Sequence, residues 1–154
     1  MQWVGEEKLA EHGTLLDKAL ESPAISRSMF DAVLASKSLL AGDAPDSRDQ
    51  ISLDDTLLPI VIDERRPPSL RALALAALTP QDDDLTLPRL EKLLASTDLL
   101  LRIEAVRSLR AKPSPEATQL LRRLAEAESE SMLLRREAIA GLGAKHITIR
   151  PHCP

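Results

Sequence analysis

Apolar residues recur along most of the chain at spacings of three and four, the period of an amphipathic α-helix. Leu, Ala, Arg and Glu dominate these stretches, and such residues favour helix over strand. The pattern predicts an all-α protein of about eight helices. In chain order, they are expected to span about 5–21, 23–41, 55–62, 68–79, 87–95, 99–111, 115–127 and 131–143.

Capping residues and prolines mark where several of these helices begin. Asp54 or Asp55 is expected to cap the third helix, with Pro59 tolerated because it would lie in the first turn. Thr86 and Asp98 are expected to cap the fifth and sixth helices through their side-chain oxygens. Short polar turns therefore divide most of the helices into pairs.

Glycines are expected to mark two helix ends. Gly42 fits the C′ position after the second helix, and Gly141 and Gly143 are expected to fray or cap the last one. The pair at 141 and 143 is too short a fragment to indicate a glycine-rich phosphate loop.

One segment of the chain recurs twice. PSLRALALAALT at 68–79 is followed by LLLRIEAVRSLR at 99–110 and LLRREAIAGLG at 133–143, with offsets of 31 and then 33 residues. Four columns align, namely Arg71, Arg102 and Arg135; Ala74, Ala105 and Ala138; Leu75, Val106 and Ile139; and Leu78, Leu109 and Leu142. A repeat of this length is typical of an α-solenoid, in which each unit buries its apolar face against its neighbours. The alanine column is expected where adjacent helices approach closely, and a bulky residue there should cost about 1–3 kcal/mol.

The repeated segments share the pattern Leu-Arg-x-x-Ala-(Leu/Val/Ile)-x-x-Leu, which resembles HEAT repeats of the short bacterial type first associated with phycobilin lyases. The resemblance covers residues 54–143 and implies a right-handed superhelix that serves protein–protein interaction. The segment SPAISRSMFDAVLASKSLLAG at 22–42, followed by such repeats, also resembles the helical region of large exported bacterial proteins. In those proteins it lies between a dehydrogenase-like β-propeller and a haem domain marked by Cys-x-x-Cys-His. This chain has only Cys153 and lacks that motif, so no cofactor is expected.

Four segments describe the expected organisation. Residues 1–42 form a helical pair, either a degenerate repeat or a cap; 43–53 form an acidic linker; 54–143 hold three HEAT-like repeats; and 144–154 form a flexible tail. Residues 43–64 contain seven acids and one base, a charge that would attract a basic partner or a divalent cation. The carboxylates lack EF-hand spacing, so a solvated linker with helix caps is favoured.

Composition and charge limit the classes of function. The 154 residues suffice for one domain with a real core, and only 1% are aromatic. The net charge of −4 gives no general attraction to nucleic acid or anionic membranes. No apolar run reaches the roughly 18–20 residues of a membrane span, and the N-terminus lacks the layout of a secretory signal. We expect a soluble monomer, cytoplasmic by default or periplasmic as a segment of an exported protein.

No residue set indicates catalysis or a metal site. His146, His152 and Cys153 are suitable ligand types for zinc or copper, but their spacing matches no standard site. There is no Gly-x-Ser-x-Gly elbow, and the acidic pairs lie in predicted loops without a recognisable partner. We therefore expect neither a catalytic nor a metal-binding residue.

Arginine is the remaining feature of the second helices. The candidate partner-binding residues are Arg71, Arg102, Arg107, Arg135 and Arg136. The resemblance places these helices on a concave face, where guanidinium groups would suit an acidic peptide. For the aligned column a structural role is favoured, through pairing with acids such as Glu104 and Glu137. Arg107 and Arg136 lie outside that column and are the better binding candidates.

The sequence thus favours a non-catalytic interaction scaffold or a docking or spacer module. Nucleic-acid binding along a basic groove is one alternative, although the net charge and the lack of aromatics oppose it. An accessory subunit of a lyase or a haem-dependent oxidoreductase is another, and it follows from the resemblance alone.

Overall fold

A computed structural model describes residues 15–16, 18–20, 22, 25–42, 53–80 and 82–143. All regular structure in these residues is helical, so the all-α prediction is confirmed. Residues 15–16 and 18–20 belong to a helical segment. The helices with defined bounds are α1 Arg27–Gly42, α2 Leu53–Ile62, α3 Pro68–Ala77, α4 Leu87–Leu94, α5 Leu99–Ala111, α6 Pro115–Glu126 and α7 Met132–Gly143. The predicted tail, most of the acidic linker and most of the first helix lie outside the described residues.

Side-chain oxygens cap four of these helices. Asp98 Oδ1 accepts a hydrogen bond from Leu101 N at 2.8 Å, as predicted for α5. Equivalent serine caps precede α1, α6 and α7, with Ser26 accepting from Met29 N, Ser114 from Ala117 N and Ser131 from Leu134 N. The cap at position 26 explains why α1 begins at Arg27 and not at Pro23, because capping fixes the first turn.

Two predicted capping arrangements need correction. Helix α2 begins at Leu53, so Asp54 and Asp55 lie in its first turn, where their charge favours the positive helix N-terminus. Pro59 therefore lies inside α2 and not in its first turn, and its ring nitrogen cannot donate a backbone hydrogen bond to the preceding turn. Thr86 occupies the N-cap position of α4, but its side chain makes no capping hydrogen bond.

The contacts divide the chain into two units, residues 1–78 and 79–154. In the first unit α2 packs against α3. In the second unit α4 packs against α5, α6 packs against α7, and α5 also packs against α7. The pairs α2–α3, α4–α5 and α6–α7 each follow the predicted order of helix, turn and second helix.

The aligned alanines are completely buried, as the repeat pattern predicts. Ala74, Ala105 and Ala138 each have 0% of their surface exposed. The adjacent column differs along its length, since Leu75 and Val106 are buried whereas Ile139 is 55% exposed. The last repeat therefore presents to solvent a position that its two predecessors bury.

Helix α7 packs closely on α5 and α6 at Gly141. This glycine is buried within the helix, and a Cβ there would overlap Arg110 Cγ and lie 3.0 Å from Leu121 Cδ1. It permits a close approach and does not end the helix, contrary to the expected fraying, because α7 continues to Gly143. Arg107 meets Glu137 and Arg110 meets Gly141, so α5 and α7 run in the same direction.

No helix in the described part of the chain is long and apolar enough to cross a membrane.

Candidate functional site

Each arginine of the aligned column joins the two helices of its pair by the same kind of hydrogen bond. The guanidinium Nε of the second helix donates to a carbonyl in the last turn of the first helix. The pairs are Arg71 to Val61 O at 2.9 Å, Arg102 to Leu94 O at 2.8 Å and Arg135 to Ala125 O at 3.1 Å. Carbonyls in the last turn of a helix lack a partner within it and carry its partial negative charge. The arginines supply both a donor and the complementary charge, so each one braces a helix pair.

The partners of this column differ from those expected. Glu104 and Glu137 pair instead with Arg107, which lies outside the column. Within the described part of the chain, Arg102 of the column pairs with Glu130, whose Oε1 lies 2.6 Å from Arg102 Nη2. Arg71 is only 9% exposed. Every residue has a backbone carbonyl, so residue types do not reveal which carbonyl accepts a hydrogen bond. The sequence therefore showed that these arginines recur but not what they bind.

Arg107 takes part in an ion-pair network between α5 and α7. Its Nη1 lies 2.7 Å from Glu104 Oε1, and its Nη2 lies 3.0 Å from Glu137 Oε1. Arg110 Nη1 reaches the other oxygen of Glu137 at 2.7 Å. The hydrogen bond from Arg107, opposed by partial burial, lowers the pKa of Glu137, and the same bond raises the pKa of Arg107. The network ties the two parallel helices together.

Arg136 differs from the other four candidates. Its side chain is exposed and makes no ion pair with any acid in the described part of the chain. The exposed residues of α7 lie at 132, 133, 136, 139, 140 and 143, positions that share one face of a helix. We call this surface the α7 stripe; it consists of Met132, Leu133, Arg136, Ile139, Ala140 and Gly143.

A groove of about 420 Å³ runs along one flank of the α7 stripe, between α5 and α7. We call it the α5–α7 groove; it is lined by Ile103, Arg107, Arg110, Leu133, Arg136, Glu137 and Ala140. Counting Glu104, which pairs with Arg107, this region holds three guanidinium groups and two carboxylates. One positive charge is therefore left over, and it belongs to Arg136.

A second cavity offers less chemistry. A hollow of about 330 Å³ beside the start of α6 is lined mainly by apolar residues, with Lys112 and Ser114 at its edge. No group of three or more His, Cys, Asp or Glu in the described ranges is arranged to hold a metal ion. His12, His146, His152 and Cys153 lie outside those ranges.

No family model, curated protein or solved structure matches this chain significantly. Any functional proposal therefore rests on the surface of the protein itself.

The sequence pointed to Arg136 but missed the apolar residues around it. One signal was present in the sequence, since Arg136 stands in a column whose other members, Ala72 and Ile103, are apolar. Ile139 aligns with the apolar Val106, so nothing in the sequence indicated that Ile139 is exposed.

Proposed function

We propose that this protein is a non-catalytic interaction module built from HEAT-like repeats, which binds another polypeptide through the second helices of its C-terminal unit. Three features support the repeat architecture: the recurring arginine brace, the buried alanine column, and the parallel run of α5 and α7. In arrays of this kind, stacked second helices form a continuous binding face.

The α7 stripe is the observation that carries the proposal. Met132, Leu133 and Ile139 are 74%, 53% and 55% exposed on a single helix face. Single exposed apolar residues are common on protein surfaces, whereas several on one helix face beside a groove are typical of a binding site. The guanidinium of Arg136 at its centre adds the kind of side chain that is enriched at interaction hot spots.

Charge favours a polypeptide over nucleic acid as the partner. The α5–α7 groove has a surplus of one positive charge, and its other arginines are already paired. Nucleic-acid binding depends on several cations that neutralise successive phosphates. The exposed apolar surface also has no counterpart in a phosphate backbone.

A random-peptide display library tests the proposed function. The library is panned on the full-length wild type and on a variant with Arg136→Glu and Ile139→Glu; both substituted residues are exposed, so the fold should be retained. We expect peptides that bind the wild type and lose binding to the variant. Recovery of equal pools on both proteins, with matched circular dichroism spectra, would refute the proposal.

A further inference from the structure

Two positions of the α7 stripe are exposed, although the aligned positions on α5 are buried. On α5, Ile103 is 8% exposed and Val106 is 0% exposed, in a unit where α7 packs on that helix. The aligned residues on α7 are Arg136 and Ile139, and both are exposed. The repeat register therefore leaves two positions exposed on α7 that α5 buries, and a further helix packed on α7 would bury them.

The composition of the α7 stripe indicates what such a helix should carry. Five of its six residues are apolar or glycine, the only charged residue is Arg136, and none is acidic. Ile103 is an apolar residue that is buried on α5, whereas the aligned Arg136 would need a carboxylate partner if a helix covered it, because an unpaired charge is costly to bury. A guanidinium suits a carboxylate because it offers parallel N–H donors.

The length of the stripe also suits a helix. From Met132 to Gly143 there are eleven steps along α7, or about 17 Å at 1.5 Å per residue. A partner helix of about three turns would cover this distance, with apolar side chains at intervals of three and four residues.

We propose that the α7 stripe binds an amphipathic helix from a partner protein, with apolar side chains on Leu133 and Ile139 and an Asp or Glu against Arg136. This inference rests on the proposed function and specifies the chemistry of the partner. It assigns Arg107 a structural role in holding the groove wall, because its guanidinium is already shared between Glu104 and Glu137.

A helix-display library provides the test. One face of a stable three-turn helix is randomised, and the library is panned in parallel on the full-length wild type, Arg136→Glu and Arg122→Glu. Arg122 is an exposed arginine on α6 and serves as the matched control. We expect Asp or Glu to be enriched at one fixed position in the wild-type and Arg122→Glu pools, and Lys or Arg to replace it in the Arg136→Glu pool. Isolated wild-type binders should lose about fivefold in affinity to Arg136→Glu.

The other possible results would overturn either the inference alone or the proposed function as well. Two results would overturn the inference but not the interaction module. In the first, the wild-type pool binds the α7 stripe without a preference for Asp or Glu. In the second, the pool selected on Arg136→Glu shows the same preference for Asp or Glu as the wild-type pool. The absence of any retained helix or peptide overturns both the inference and the proposed function. Light scattering addresses a different occupant: a wild-type dimer that Ile139→Glu dissociates would assign the stripe to a second copy of the chain and overturn the inference.

Discussion

Removing the arginine brace of the second helix pair should destabilise the C-terminal unit, and Arg102→Met is the most informative change. Methionine keeps most of the apolar stem but loses the 2.8 Å hydrogen bond to Leu94 O and the 2.6 Å contact with Glu130. Hydrogen bonds from a charged donor contribute about 1.5–3 kcal/mol, and a part-exposed ion pair adds about 0.2–1 kcal/mol. We therefore expect a loss of about 2–3 kcal/mol in the free energy of unfolding.

Urea titration followed by far-ultraviolet circular dichroism measures this loss, and hydrogen exchange of the α4 and α5 amides localises it. Arg136→Met is the matched control, since that side chain is exposed and unpaired among the described residues, and it should change stability by less than about 0.5 kcal/mol. Glu130→Gln keeps the bond to Leu94 and should cost less than Arg102→Met. Equal stability of Arg102→Met and Arg136→Met would refute the bracing role.

Further substitutions test packing and charge in the same unit. Ala105→Leu should lower the free energy of unfolding in urea by about 1–3 kcal/mol, because the site is fully buried. An unchanged urea midpoint would show that this position tolerates a larger side chain. Gly141→Ala should be net destabilising, because its Cβ must displace Arg110, whereas Gly143→Ala meets no atom within 4 Å and should be neutral or stabilising. Because the pKa of Glu137 is lowered in the folded protein, the ionised carboxylate stabilises the fold at pH values above its ordinary pKa of 4.5. This stabilisation is lost as the pH falls through the lowered pKa of the folded state. Glu137→Gln should therefore be less stable than wild type at pH 7, and a difference that does not shrink below pH 4.5 would contradict the network.

The helices near the C-terminus were the easiest to predict. The sequence placed α5 at 99–111 and α7 at 131–143, and the structure gives Leu99–Ala111 and Met132–Gly143. Aspartate and serine caps mark these starts with hydrogen bonds that involve only neighbouring residues. The start of α2 was missed because acids favour the first turn of a helix as well as its cap, and the sequence does not distinguish the two.

The roles of the arginines were less predictable. The sequence showed Glu104 three residues from Arg107, but it did not show that Glu137, thirty residues away, shares the same guanidinium. That contact depends on how α7 packs on α5. Because this contact pairs Arg107, Arg136 is the one of the two arginines favoured for binding whose guanidinium is unpaired among the described residues.

Hydrogen-exchange mass spectrometry of the full-length protein, with and without a helix selected from the display library, tests the central claim most directly. If the α7 stripe is the binding surface, exchange should slow in peptides covering 132–143 and 103–110, and Arg136→Glu should abolish this protection while Arg122→Glu leaves it intact. Protection confined to α4 or α6, or protection that persists in Arg136→Glu, would contradict the claim.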